Sequence, residues 1–177
     1  SVHFGPTNSF WNDFPALNEY VTRCQSFLQA GKPDNDILFY YPFNDLISVP
    51  ARRGLLEHFN SDVTRSGVHS FYPLAQSLLE KGYTFDYISD RQLMEVNYNE
   101  NMLNTGRSSY KTVILPQCSF IPLELFNHLF RLAEEGATII FQHYLPGDVP
   151  GLYNLEQRQI ILKTLKDQLD FRQVATL

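Results

Sequence analysis

Cysteine is scarce in this chain of 177 residues: Cys24 and Cys118 are the two, and they lie far apart. That excludes a disulfide framework and the closely spaced ligand pairs of a zinc ribbon or finger. Positive charge is also short. Fourteen Lys and Arg stand against nineteen Asp and Glu, for a net charge of −5, and no basic run occurs. A nucleic-acid partner, which needs a basic stripe or patch, is not expected. No apolar stretch approaches the roughly 20 residues that span a bilayer, so no membrane partner is expected either. Glycine-rich phosphate loops are missing: neither G-x-G-x-x-G nor G-x-x-x-x-G-K-[ST] occurs, which argues against a dinucleotide or nucleotide cofactor. The five His (His3, His58, His69, His128 and His143) form no H-E-x-x-H or other two-ligand spacing, so no metal is expected. No initiator Met and no leader-like segment opens the chain. Its start at Ser1-Val2-His3 and its stop soon after Phe171-Arg172-Gln173-Val174 lead us to expect a piece of a longer protein.

What is present is globular. Apolar types make up 44% and aromatics 14% of the residues. A chain of this length buries roughly 70% of its unfolded surface without any staple. Residues 1–15 read as loop. Ala16 to Ala30 has helical spacing, with Leu17, Tyr20, Val21, Cys24, Phe27 and Leu28 on i, i+3, i+4 positions. Asn12-Asp13 offers a cap, and Gly31 is expected to close the helix as a left-handed C′ glycine. Four strands are expected, at Ile37–Tyr41, Tyr83–Ile88, Lys111–Leu115 and Ala137–Phe141. The run Ile37-Leu38-Phe39-Tyr40-Tyr41 is continuously apolar, the mark of a strand covered on both faces. Helices are expected over Ser70–Lys81, Ile121–Glu135 and Leu155–Leu169, a short one over Ala51–Phe59, and another capped by Asp90. Asn97 to Ser109 is polar and reads as loop. Alternating strands and helices give an α/β three-layer sandwich with a mainly parallel sheet, order 2-1-3-4, flavodoxin-like or class I glutamine-amidotransferase-like. Residues 1–33 are set apart as an amino-terminal loop and helix packed on the core, and 34–177 as the α/β domain.

Ligands of such sheets sit outside the carboxyl ends of the strands. Four segments fall there: Pro42–Asp45, Ser89-Asp90, Pro116–Ser119 and Gln142–Tyr144. Cys118 follows the third strand, where a nucleophile elbow would stand, and His143 follows the fourth. A Cys118–His143 pair is the catalytic candidate, because a nearby imidazole generates the thiolate that attacks. Against it, Gln117 and Ser119 flank Cys118 where a strained elbow uses small residues, and no carboxylate is in view to orient His143. The structural alternative is a buried Cys acting as a small hydrophobe. Asp45 and Asp90 are the carboxylates able to face one crevice, as glycoside hydrolysis requires. Phe4, Phe10, Trp11 and Phe14 form an aromatic cluster suited to a sugar ring, to a neighbouring domain or to their own packing.

The stretch His3-Phe4-Gly5-Pro6-Thr7-Asn8-Ser9-Phe10-Trp11, followed by Tyr20-Val21-Thr22-Arg23-Cys24-Gln25-Ser26-Phe27-Leu28-Gln29-Ala30-Gly31-Lys32-Pro33 and by Asp36-Ile37-Leu38, resembles large bacterial α-L-rhamnosidase-type glycoside hydrolases. There the pattern occurs where the catalytic barrel hands over to a following α/β domain. Phe85–Ile88, Tyr110–Pro116 and Ala133–Ile140 look like that second domain, which is similar to a glutamine-amidotransferase-like domain. The resemblance implies a non-catalytic accessory domain that buttresses the preceding barrel and lines part of its carbohydrate cleft, in a periplasmic or secreted parent. It places His3 and Trp11 at a carbohydrate or domain interface, to which the strand-end reading adds Asp45 and Asp90; no cofactor is expected, and self-association of the fragment through its aromatic end is a further expectation. The acid and base of the parent belong to the barrel. The alternatives are a stand-alone Cys-dependent hydrolase using Cys118 and His143, and a small-molecule or carbohydrate-binding module.

Overall fold

The computed structural model describes residues 5–48 and 71–169. The chain divides into two units, Ser1–Pro33 and Asp34–Leu177. The first holds a 3-10 turn at Trp11–Asp13 and helix α1, Phe14–Ala30. Asp13 occupies the N-cap position without a side-chain cap bond, and Pro15 in the first turn supplies the helical φ instead. Gly31 differs from expectation. Its φ of −98° and ψ of 176° are extended, so the chain leaves α1 directly rather than through a left-handed turn. No residue of α1 is buried.

The second unit is α/β. Its elements are β1 (Ile37–Tyr40), α2 (Phe43–Ser48), α3 (Phe71–Glu80), β2 (Phe85–Ile88), α4 (Asp90–Leu93), β3 (Asn97–Asn99), β4 (Met102–Asn104), β5 (Ser109–Tyr110), β6 (Thr112–Leu115), α5 (Leu123–Glu134), β7 (Thr138–Phe141) and α6 (Leu155–Gln168). One sheet has four strands, all parallel, in the order β2-β1-β6-β7. That is the expected 2-1-3-4. The reason is visible in the side chains: the central strands β1 and β6 are buried almost throughout, so the continuous apolar runs are read correctly as doubly covered. Leu38, Tyr40, Val113, Leu115, Ile139 and Phe141 face a core shared with α5 and α6. Ile37, Phe39 and Ile114 face the other way, onto Phe71, Leu74, Ala75 and Leu78 of α3.

Three local readings are corrected. Residues 97–110 are not a loop but a second, antiparallel sheet, order β3-β4-β5. Glu100 and Asn101, at φ 50° and 61°, make the two-residue turn between β3 and β4. Both central residues are left-handed, which is the hairpin-compatible geometry, here built without glycine. Only Leu103 and Tyr110 are buried there, so no alternation of any length marks these strands. Helix α2 is a six-residue element that the sequence reading passed over, while the expected helix at Ala51–Phe59 lies outside the described residues. The cap of α4 is Ser89 rather than Asp90: its hydroxyl accepts from the Gln92 amide and the Gln92 side chain accepts from the Ser89 amide, a complete capping box.

Candidate functional site

The order of the sheet fixes where to look. The chain runs from β1 to β2 on one side and then places β6 on the other, so the topological switch point lies between the carboxyl ends of β1 and β6. All four segments expected at the strand ends are there. Asp45 is on α2, just beyond β1. Asp90 opens α4, just beyond β2. Cys118 and Ser119 follow β6, and His143 follows β7.

The two carboxylates do not converge on open space. Asp45 spans the switch point: its Oδ1 accepts from the Ser119 amide at 2.6 Å and its Oδ2 from the Phe120 amide at 3.0 Å. Consecutive amides aimed at one point form an anion nest, and here the protein fills that nest with its own carboxylate. Asp90 is held from β1 and α2. The Tyr40 hydroxyl donates to its Oδ1 at 2.5 Å and Asn44 Nδ2 donates to its Oδ2 at 3.0 Å. Tyr40 is buried, and that burial, with the bond to Asp90, pushes its phenol well above the ordinary range. A phenol kept neutral remains a donor.

Cys118 lies beneath this arrangement at 2% exposure. Burial first, then the negative charges of Asp45 and Asp90, push its thiol far above the ordinary value. The charge environment is therefore opposite to that of a reactive cysteine, which needs cationic neighbours. His143 is exposed and left-handed, at φ 66°. No hydrogen bond joins it to Cys118 among the described residues. The fold thus brings Asp45 and Asp90 around Cys118 but does not bring His143 to the thiol as a base.

The remaining strand ends are stitched in the same way. The Gly147 and Asp148 amides both donate to the Ser119 carbonyl at 3.0 Å, and the Gln142 amide donates to the Leu115 carbonyl at 2.9 Å. The Gln117 amide donates to Gln142 Oε1 at 3.1 Å, and the Gln117 side chain donates to the Tyr144 hydroxyl. Asn44 and Ser119 fall within the expected segments, but Tyr40 and the Phe120 amide lie outside them, and neither the Asn44 bond to Asp90 nor the pairing of the two amides on Asp45 was expected. Tyr40 carries no signal, because it belongs to a run that reads as pure core, and a main-chain donor has no signature in sequence at all.

Other expected site residues sit elsewhere. Trp11 is exposed and stacks on Phe14 at 5.9 Å, with Phe10 against the same ring at 6.2 Å. His3 and Phe4 lie outside the described residues. His128 is half-buried on α5, with Nε2 3.0 Å from the Val96 carbonyl, a packing role between α5 and the turn before β3. Among the described residues no cluster of three or more His, Cys, Asp or Glu side chains suits a metal ion. An apolar cavity of about 20 Å³ is lined by Phe126, Leu129, Ile139, Phe141 and Leu169 among others, between α5 and β7. It has room for about one water and no polar partner for it.

Comparison with protein-family models, curated proteins and solved structures found no match.

Proposed function

We propose that this chain is a non-catalytic α/β domain, flavodoxin-like or class I glutamine-amidotransferase-like in architecture, and that it serves a multidomain glycoside hydrolase as an accessory domain. One observation carries the first half. In an elbow-type hydrolase the amide of the residue after the nucleophile forms part of the oxyanion hole. Here that amide is the one of Ser119, and Asp45 already occupies it together with the amide of Phe120. A developing oxyanion at this point would meet a carboxylate instead of a donor. The thiol of Cys118, raised in pKa first by burial and then by the same carboxylates, supports the same reading.

The second half rests on the resemblance of His3–Trp11 and Tyr20–Pro33 to the barrel-to-domain handover of α-L-rhamnosidase-type enzymes. On that reading the partners are the preceding barrel and, through it, a carbohydrate. The exposed Trp11 and Phe10 fit an edge that meets a neighbour.

The test is catalytic and chemical together. The purified chain is expected to hydrolyse neither an aryl α-L-rhamnoside nor glutamine above the buffer rate. Native iodoacetamide treatment near neutral pH is expected to leave Cys118 unlabelled, with its label appearing only after unfolding. Robust turnover of either substrate, or native alkylation of Cys118, overturns the non-catalytic reading.

A further inference from the structure

Helix α1 presents an apolar face that nothing in its own unit covers. Leu17, Tyr20, Val21, Cys24, Phe27 and Leu28 lie on one side of it, and no residue of the helix is buried. Phe27 and Leu28 are 80% and 79% exposed, Tyr20 59% and Leu17 50%. In proteins most of a helix's stability comes from tertiary packing of such a face. The spacing repeats at seven residues: Leu17 with Cys24, Tyr20 with Phe27, and Val21 with Leu28. This is the period of helix-on-helix packing.

We infer that α1 pairs with α1 of a second copy of this chain, face to face, to form a two-fold dimer. Charge favours the identical face as the partner. The six residues of the face carry no ionised side chain; Asn18 and Gln25 border it on one side, and Arg23 borders it on the other, beside Tyr20 and Phe27. The two charges of the helix, Glu19 and Arg23, neutralise each other along it at 2.8 Å. Two copies therefore meet through uncharged side chains, with each bordering Arg23 already paired to its own Glu19, which limits like-charge repulsion across the seam. The area is sufficient. An aromatic side chain offers on the order of 200 Å². Scaled by exposure, Phe27 and Tyr20 leave roughly 280 Å² open. The leucines and Val21 bring the face to about 500 Å² per copy, or ~1,000 Å² for the pair, the lower bound of a specific interface. Leu17 and Cys24 run down the middle of the stripe, so the symmetry places the two Cys24 thiols close to each other across the pair. The pairing rests on α1 alone and stands or falls apart from the glycosidase reading.

The experiment uses the whole chain. Sedimentation velocity across a dilution series is expected to show a dimer that dissociates reversibly, and a short bismaleimide is expected to cross-link it through Cys24, since Cys118 is buried. Phe27→Glu and Leu28→Glu are each expected to raise the dimer dissociation constant about tenfold or more. Ser26→Glu, on the opposite side of the helix, is expected to leave it unchanged. Circular dichroism of each variant separates loss of pairing from loss of the helix. Cross-linking of the unaltered chain, abolished by Cys24→Ser, reads the interface without any charge placed in it. A chain that stays monomeric at about 100 μM overturns the inference, whether the face is then covered within the chain or by another domain. So does a dimer that survives Phe27→Glu and Leu28→Glu combined.

Discussion

Asp45 ties α2 to the loop after β6, 74 residues further along the chain, and its loss would leave two main-chain amides exposed. Truncation to Ala leaves the Ser119 and Phe120 amides without their acceptor and removes a charge-assisted pair of bonds. The expected cost is about 1–3 kcal/mol, read as a lower urea midpoint at unchanged slope. Asp45→Asn keeps one acceptor oxygen and puts a donor where the second amide needs an acceptor, so it should recover only part of the loss. Equal stability of all three proteins would mean that the nest contributes nothing. Asp45 was legible in the sequence as a strand-end residue but not as a plug. Its partners are main-chain amides, and only the path of the chain brings them within reach.

At the scale of elements, the ends of helices show how much a single backbone angle decides. Gly82 and Gly136 follow α3 and α5 at φ 83° and 108°, and each helix closes with the reversed bond pattern that the left-handed turn permits. The Tyr83 amide reaches the Leu78 carbonyl and the Ala137 amide reaches that of Leu132, both at 2.9 Å. Gly136 carries a second constraint: a Cβ there would stand 3.4 Å from the Tyr98 ring of β3. Gly136→Ala is therefore expected to destabilise by more than about 1 kcal/mol, and Gly82→Ala, with open space around it, by less. The difference in melting temperature between the two variants checks this; equal shifts would mean that the Tyr98 contact is immaterial. These two glycines were readable, because a glycine ending an amphipathic stretch has a mechanism. Gly31 shows the limit: it ends α1 in extended backbone, which any residue can adopt. Residues 97–110 show it more sharply. A hairpin turned by Glu100 and Asn101, with one inward side chain per strand, gives periodicity too little to work on.

For the molecule as a whole, the buried titratable groups set a direction for stability against pH. Tyr40, Cys118 and Tyr110 all have pKa values raised in the fold, chiefly by burial. Each favours its neutral form in the native state and loses its proton more readily when unfolded. Their contribution is complete below the ordinary values of 9.0 for the thiol and 10.0 for the phenols, and it falls as the pH rises above them. The slope for each fully buried group is up to about 1.4 kcal/mol per pH unit. Urea unfolding at pH 7 to 11 is expected to show stability falling above pH 9 to 10. Tyr40→Phe should be less stable at pH 7, where Asp90 loses its donor, and should show a shallower alkaline decline. An alkaline limb unchanged by that substitution would assign the decline to other groups.

The sequence by itself determined the class of the fold, the order of its parallel sheet, and the segments at the strand ends. Those follow from local pattern: continuous apolar runs demand cover on both faces, and right-handed crossovers then leave few orders open. The tertiary structure alone decided what those segments do to one another. It placed Asp45 on two amides, Tyr40 on Asp90, and Cys118 in the buried core within the field of both carboxylates. Each of these is an interaction between groups whose separation in sequence carries no periodic signal. Their chemistry is settled by desolvation and by hydrogen bonds that exist only once the chain has closed.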